Sequence, residues 1–322
     1  MYVYSIAMNQ KFRGITNREG ILFRGKKRWA EFSPFLEYSD AQVVPWLQAA
    51  VEYANADLPE TKRSFIPVNV TIPAVSAEVA GGIVRNSGGC QSAKVKVCTP
   101  GQSLANEVDR LEAVRQVLGP NGKIRIDVNG GWSSSEAIRN IKVLDQAAGG
   151  LEYVEQPCRS LAELAEVRKA VQVPIAADES IRNSADPLRA IAQAAADVLI
   201  FKVQPLGGIS RCLELAEQVK KPIVVSSALE TTVGLTTGLH LAGLLSDLPY
   251  ACGLATHQLL TADVCFQDLT VNAGQIALNL AEVDLAKLSE NLASPEREKW
   301  WRQRFESVAK LAGITEVEQY LA

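Results

Sequence analysis

Through the middle of the chain, short β-branched and aliphatic runs alternate with longer stretches in which apolar residues recur at helical spacing. The runs are "FIPVNVTIP" (65–73), "AKVKVC" (93–98), "KIRIDVN" (123–129), "LEYVEQP" (151–157), "VPIAADES" (173–180), "DVLIFKVQP" (197–205), "PIVVSSALE" (222–230) and "ACGLATH" (251–257). Their starts lie about 22 to 30 residues apart. Runs of this length bounded by Gly, Pro, Asn and Ser predict strands, and helices between them predict βα units and a parallel sheet. The intervening segments carry helix signals. "SLANEVDRLEAVRQVLG" opens on a Ser cap and stops at Gly119, and "SSSEAIRNIKVLDQAAGG" places Ser caps before Glu136 and ends on a Gly pair. "SLAELAEVRKAV", "ADPLRAIAQAAA", "GGISRCLELAEQVKK" and "TTVGLTTGLHLAGLL" follow runs four to seven. Eight such units predict a (β/α)8-type barrel, whose core occupies about 200–250 residues. An open doubly wound sheet is the alternative topology.

The flanks read differently. Residues 1–62 hold strand-like "MYVYSIAM", "REGILFRG" and "RWAEFSPF" and a helical "DAQVVPWLQAAVEYA". Beyond the eighth run, "DLTVNAGQIALN" predicts a hairpin around Asn272-Ala273-Gly274, followed by the polar helix "SPEREKWWRQRFESVAKLAG". The expected organisation is an α+β capping domain over 1–62, a barrel over 63–264, and a tail from about 265 to 322 packing back on the cap.

Composition narrows the function. The chain has 322 residues, 47% hydrophobic and 21% charged, with a net charge of −3. That balance points to no nucleic-acid partner. No apolar run is long enough for a membrane span, and the N-terminus lacks a secretory pattern. Six scattered cysteines without C-x-x-C suit a reducing compartment, so the expected location is cytoplasmic. The two histidines, His240 and His257, leave no three-His zinc site and no H-E-x-x-H, and the usual nucleotide fingerprints and the G-x-S-x-G elbow are absent. Catalysis would rest on lysines, carboxylates and a metal.

In the second run, Lys94 and Lys96 share one face while Val95 and Val97 share the other. A lone lysine in a strand is usually an exposed edge residue. Barrel strands have no edge, and helices cover their outer face, so charge within them must point into the barrel mouth or pair. There the strand ends bring further charge: Asp127 and Asn129 on run three, Glu155 on four, Asp178 and Glu179 on five, Lys202 on six, with Ser226 and Ser227 on seven. Three carboxylates converging at one end repel unless a cation lies among them, and a hard divalent ion satisfies such oxygens. Lysines from runs two and six would flank a substrate held there. Burial, a second ammonium and a nearby metal lower a lysine's pKa, and Lys94 is placed to do this to Lys96. The chemistry served is removal of a weakly acidic proton beside a carboxylate, with the metal stabilising the enediolate.

K-x-K (Lys94, Lys96), "DVNGGW" (Asp127), "EQP" (Glu155), "ADES" (Asp178) and "FKVQPLGGI" (Lys202) together resemble the enolase superfamily, muconate lactonizing enzyme subgroup. The resemblance implies Mg2+, with Mn2+ as a substitute, on Asp127, Glu155 and Asp178, and Lys96 and Lys202 as the acid/base pair. Within the subgroup, "FRGITNREGILF", "WAEFSPFLEY", "VVSSALETTVG" and "GLATHQLLTADV" most resemble the o-succinylbenzoate synthase family of the short actinobacterial type. That family dehydrates 2-succinyl-6-hydroxy-2,4-cyclohexadiene-1-carboxylate to 2-succinylbenzoate in menaquinone synthesis. The resemblance implies that Lys96 removes the proton alpha to the ring carboxylate and returns it to the departing hydroxyl, and that Lys202 stays a cation over the other ring face. A small carboxylate is then the partner, and a monomer or small homo-oligomer the state. Expected substrate contacts are Asn129, Ser226, Ser227, Gly253 and Leu254. Arg13 and Arg18 of the capping loop could meet the succinyl group or be solvated. "CGLATHQ" lacks the Asp-x-Asp of dipeptide epimerases. N-acylamino acid racemisation is the alternative on the same fold, and a non-catalytic barrel the alternative outside catalysis.

Overall fold

The computed structural model describes residues 1–182, 187–315 and 320. Three antiparallel strands open the chain: β1 (Tyr2–Phe12), β2 (Ile15–Arg24) and β3 (Trp29–Phe32). The β1–β2 hairpin turns at Arg13 (φ 50°) and Gly14 (φ 81°), with Phe12 opposite Ile15. Two positive φ angles give the turn that matches the strands' right-handed twist. Helix α1 (Val44–Asn55) follows and turns Trp46, Leu47, Ala50 and Tyr53 inward.

The barrel then builds in register: β4 (Phe65–Pro67), β5 (Val70–Ile72), α2 (Ala77–Arg85), β6 (Ser92–Lys96), α3 (Leu104–Leu118), β7 (Lys123–Asp127), α4 (Ser134–Ala148), β8 (Leu151–Glu155), α5 (Leu161–Ala170), β9 (Ile175–Ala177), α6 (Glu179–Arg182), α7 (Arg189–Ala192), β10 (Val198–Phe201), α8 (Val203–Leu206), α9 (Ile209–Gln218), β11 (Ile223–Val225) and α10 (Thr232–Leu244). Strands β5 to β11 form one parallel sheet in sequence order. The helices start where the caps predict. Ser103, Ser133 and Ser160 form capping boxes with Asn106, Glu136 and Glu163, satisfying the free N–H groups of α3, α4 and α5. The start of the helix expected over 185–196 lies outside the described residues.

Two departures from the expected units have local causes. The first run divides: β5 joins the barrel, whereas β4 pairs antiparallel with the tail. The eighth run is not a regular strand but still closes the barrel. Cys252 N donates to Pro67 O (2.7 Å), Asn69 N donates to Cys252 O (2.9 Å), and Gly253 N donates to Val225 O (2.9 Å). A short 3-10 turn over 256–259 then replaces the eighth helix, because the chain leaves to bridge β1 at Met8 and Leu260. The fold is thus an enolase-like modification of the (β/α)8 barrel, with seven regular parallel strands under a separate N-terminal cap.

The tail carries a hairpin, β12 (Val271–Asn272) and β13 (Gln275–Ala277), turning at Ala273 and Gly274, then α11 (Leu285–Glu290) and α12 (Pro295–Ala312). Ser5 N donates to Asn291 O and Ala293 N to Val3 O, so the tail lies along the edge of β1. Trp301 and Phe305 of α12 meet Phe32 edge-on, and Phe305 also meets Phe23. The polar α12 therefore covers the cap's apolar face with a few large rings. Helix α10 is buried along its whole length, which explains why it carries no charged residue and shows no polar face. Among the described residues, no helix is long and apolar enough to cross one.

Inside the barrel the lining is divided. Tyr153, Ala176, Val198, Ile200 and Val224 pack as an apolar cluster. Asn69, Thr71, Ser92, Lys94, Lys96, Arg125, Asp127 and Glu155 are also buried but polar, and they come from β5 to β8 and the residue before β5. This polar sector includes β6 to β8, which carry Lys94, Lys96, Asp127 and Glu155 of the sequence's charged motifs.

Candidate active site

Strand register brings the charged side chains together. Lys96 is opposite Asp127 on β6 and β7, and Asp127 is opposite Glu155 on β7 and β8. Asp178 follows β9 and Lys202 follows β10. All are at least nine-tenths buried. Charges so placed must pair, because an isolated one would lose its hydration without return. Lys94 Nζ donates to both Glu155 oxygens at 3.1 Å and lies 3.6 Å from Asp127 Oδ2. Lys96 Nζ donates to Asp127 Oδ2 and to Asn129 Oδ1, the latter at 2.6 Å. Lys202 Nζ donates to Asp178 Oδ2 (2.6 Å), and Arg182 Nε to Asp178 Oδ1 (3.1 Å).

The loops after the strands fix these groups. Asn129 and Gln156 take positive φ angles of 51° and 42°, turning the chain sharply at the ends of runs three and four. Gln156 is fully buried, and its Oε1 accepts from Asp178 N (3.0 Å) and Ser180 N (3.2 Å). The Gln of "EQP" thereby locks the loop that carries Asp178. Asn129 Nδ2 donates to Glu179 Oε1 (3.1 Å), tying the third loop to the fifth.

The electrostatics follow from burial and neighbours. Burial works against the Lys94 ammonium, but Glu155 and then Asp127 raise its pKa well above the ordinary lysine range. Burial lowers Lys96, and the Lys94 charge adds to this against the pull of Asp127. Against burial, Lys96 and Lys94 hold the Asp127 carboxyl down at about 2. Burial, then repulsion from Asp127, pushes Glu155 up to about 7. Against burial, Lys202 and Arg182 hold Asp178 well below the usual carboxylate range. Two lysines two residues apart therefore differ in character: one is a fixed cation, the other is more easily deprotonated.

A small cavity of about 30 Å³ opens onto this cluster. Of the expected residues, Lys94, Lys96, Lys202, Asp127, Asn129, Ser226, Ser227, Gly253 and Arg13 line it. Glu155 and Asp178 lie behind, fully buried. Two expected contacts fall elsewhere. Arg18 is buried and spends its guanidinium on backbone oxygens: Leu229 O (3.0 Å), Ala228 O (3.1 Å), Glu19 O (2.9 Å) and Ser33 O. It does not line the cavity itself but holds the backbone of Ala228 and Leu229, which do, and so ties the cap to the seventh loop. Leu254 is buried, and its side chain packs toward Gly238 on α10. Sequence reasoning missed Phe12, Phe35, Thr71, Ala228, Leu229 and Thr256, which complete the lining. A Thr one residue before the end of the first barrel strand was the available signal for Thr71. The aromatic pair comes from the cap, whose docking no periodicity reveals. A larger groove of about 520 Å³ between the start of α10 and the tail contains Asp268 and Glu282 but no lysine or arginine, and offers no comparable chemistry.

The chain matches the family described as Enolase C-terminal domain-like over residues 77–282 and that described as Enolase N-terminal domain-like over residues 3–54. It is 53% identical over 287 residues to the o-succinylbenzoate synthase of Thermobifida fusca, covering 89% of this chain and 90% of that one. It is 44% identical over 311 residues to the o-succinylbenzoate synthase of Mycobacterium tuberculosis H37Rv, covering 97% and 94%. The chain belongs to the o-succinylbenzoate synthase family of the enolase superfamily. Solved structures share this superfamily fold. Muconate lactonizing enzyme from Pseudomonas fluorescens, complexed with muconolactone, superposes with a TM-score of 0.75 at 17% identity, covering 91% of this chain and 97% of that one. The L-Ala-D/L-Glu epimerase from Bacillus subtilis superposes with a TM-score of 0.74 at 23% identity, covering 88% and 96%.

Enzymes of the enolase superfamily generally use Mg2+. Among the described residues, no three acidic, His or Cys side chains are placed to hold one ion together. The reason is visible: the carboxylates turn to ammonium groups, and Lys94 Nζ reaches Glu155 and Asp127 at once. The donor set nonetheless fits a hard cation, since Asp127, Glu155 and Asp178 offer only oxygens on neighbouring strand ends. Glu155, raised to about 7 by burial and by its fellow carboxylates, is the member most short of positive charge.

Proposed function

We propose that this protein is an o-succinylbenzoate synthase, a hydro-lyase that converts 2-succinyl-6-hydroxy-2,4-cyclohexadiene-1-carboxylate to 2-succinylbenzoate in menaquinone biosynthesis. The observation that carries the mechanism is the arrangement of Lys96 and Lys202 on opposite strands of the barrel mouth, both lining one cavity above three buried carboxylates. Asp127, Glu155 and Asp178 would hold Mg2+, which supplies charge to stabilise the substrate carboxylate as electron density moves onto it. Lys96 in its neutral form takes the proton alpha to that carboxylate. Fixed as a cation, Lys94 favours this form of Lys96, while Asn129 Oδ1 orients the Nζ. The C–O bond then breaks on the same face, and protonated Lys96 returns its proton to the departing hydroxyl, giving water. Lys202, paired with Asp178, stays cationic and stabilises the developing charge from the other ring face. Aromatisation drives the elimination forward.

Arg13 fits a role at the succinyl end. It sits at the hairpin tip with its guanidinium 4.2 Å from the Phe35 ring centroid, and its ion pair with Glu37 is partly exposed. Ser226, Ser227 and Gly253 line the opposite wall. Phe12 and Arg13 of the hairpin tip form the cap-side wall of this cavity. A cap over residues 1–62 joined by the tail, a cytoplasmic location and a monomeric or small homo-oligomeric state complete the proposal, with Mn2+ able to substitute for Mg2+. The test is dehydration of the cyclohexadiene carboxylate followed by ultraviolet absorbance, with and without Mg2+. Turnover that depends on the metal is expected, and no turnover with Mg2+ present would overturn the reading.

A further inference from the structure

Among the described residues lining the catalytic cavity, one buried side-chain polar atom has no hydrogen-bond partner: Thr71 Oγ1. Thr71 lies on β5, opposite Lys94, and is 4% exposed. Its neighbours Val70 and Ile72 pack into the core around the barrel, which leaves the Thr71 side chain on the inner, polar sector. Of the other hydroxyls that line the cavity, Ser227 Oγ and Thr256 Oγ1 bond each other at 2.7 Å. Thr71 also borders an adjoining cavity of about 170 Å³ lined by Pro73, Val79, Ile83 and Leu259 and by the polar Asn9, Gln10 and Gln258; Asn9 Nδ2 is turned to Gln258 O and Leu260 O, and none of the three bonds Thr71 Oγ1. A hydroxyl buried without a partner destabilises a fold, and valine would fill the same space on a β-strand without that cost. A threonine here is therefore explained by what it bonds when the cavity is filled.

We infer that Thr71 is a substrate-binding residue whose hydroxyl donates to an oxygen of the substrate on the Lys94–Lys96 side of the cavity. This rests on the function proposed above and adds a contact to it. Two substrate oxygens have the required chemistry: one retained in the product, or the hydroxyl that departs. In either case the protein itself offers this donor no partner, so replacing it with an isosteric apolar group leaves the free protein at least as stable and weakens its action on substrate.

The experiment compares wild type, T71V and T71S. Initial rates of dehydration are measured with Mg2+, Tm is measured without ligand, and 2-succinylbenzoate affinity is measured by calorimetry. T71V is expected to lower kcat/KM by about three- to tenfold while Tm holds or rises by up to about 3 °C, and T71S is expected to restore most of the rate. Weaker product binding by T71V would assign the bond to a retained oxygen, and unchanged product binding with the rate loss would assign it to the departing hydroxyl. Unchanged kcat/KM in T71V would overturn the inference, as would a fall in Tm, which would mark the hydroxyl as structural. Failure of the proposed function is separate, because it would appear as absence of turnover in the wild type.

Discussion

Glu230 provides a test of the electrostatics in the loop that walls the site. It is 4% exposed and follows Ser226–Leu229, four residues that line the cavity. Its Oε2 accepts from Ala228 N at 2.6 Å, and Gln204 Nε2 approaches Oε1 at 3.5 Å. Burial, then the nearby Glu31 charge, lifts its pKa from the ordinary 4.5 to about 7. The folded state therefore keeps a proton that the unfolded chain releases. The stability this group contributes is fully present below about pH 4.5 and is lost as pH rises through about 7. A displacement of that size corresponds to about 3 kcal/mol. Glutamine keeps the shape and an acceptor for Ala228 N but cannot ionise. E230Q should match wild type to within about 1 kcal/mol near pH 5 and exceed it by about 2–3 kcal/mol near pH 8.5. Urea unfolding of both proteins across this range, read by Trp fluorescence, measures the difference. A stability difference independent of pH would refute the reasoning.

Three further outcomes follow from named contacts. R18M removes the donors that hold Ala228 O, Leu229 O and Ser33 O, and should cost about 3–5 kcal/mol in thermal or urea unfolding; an unchanged unfolding midpoint would show that the cap is docked by other contacts. K202R keeps a cation beside Asp178 but cannot relay a proton, so dehydration should persist at a reduced rate. Complete loss of dehydration would mean that Lys202 transfers a proton, as an N-acylamino acid racemase requires. Chelation with EDTA should abolish dehydration, with recovery on adding Mg2+ or Mn2+; full turnover in chelator would exclude a metal role.

Much of the barrel was legible because its rules are local. Ser103, Ser133 and Ser160 announced the helices by hydrogen bonds made within one turn, and Gly119 and Gly149 announced their ends. The charged strand ends stood out because buried faces of parallel strands exclude unpaired charge. The eighth unit was not legible. "ACGLATH" has a strand's composition, yet only the tail's return to Met8 decides that a 3-10 turn follows it. Arg18 shows the same limit. Its charge suggested a ligand, whereas the carbonyls it serves lie more than 200 residues away, on Ala228 and Leu229. Phe12 and Phe35 joined the site for a comparable reason, since cap docking is a contact between distant parts of the chain. Thr71 was inconspicuous because a threonine in a strand is ordinary; only its missing partner marks it.

The central claim is that Lys96, kept less basic by burial and by Lys94, is the base. K96A tests it most directly in the ultraviolet dehydration assay with saturating Mg2+, alongside unfolding and product-binding measurements on the same sample. The account predicts a loss of about a thousandfold or more in kcat with a folded protein that still binds 2-succinylbenzoate. Turnover by folded K96A within about tenfold of wild type would contradict it.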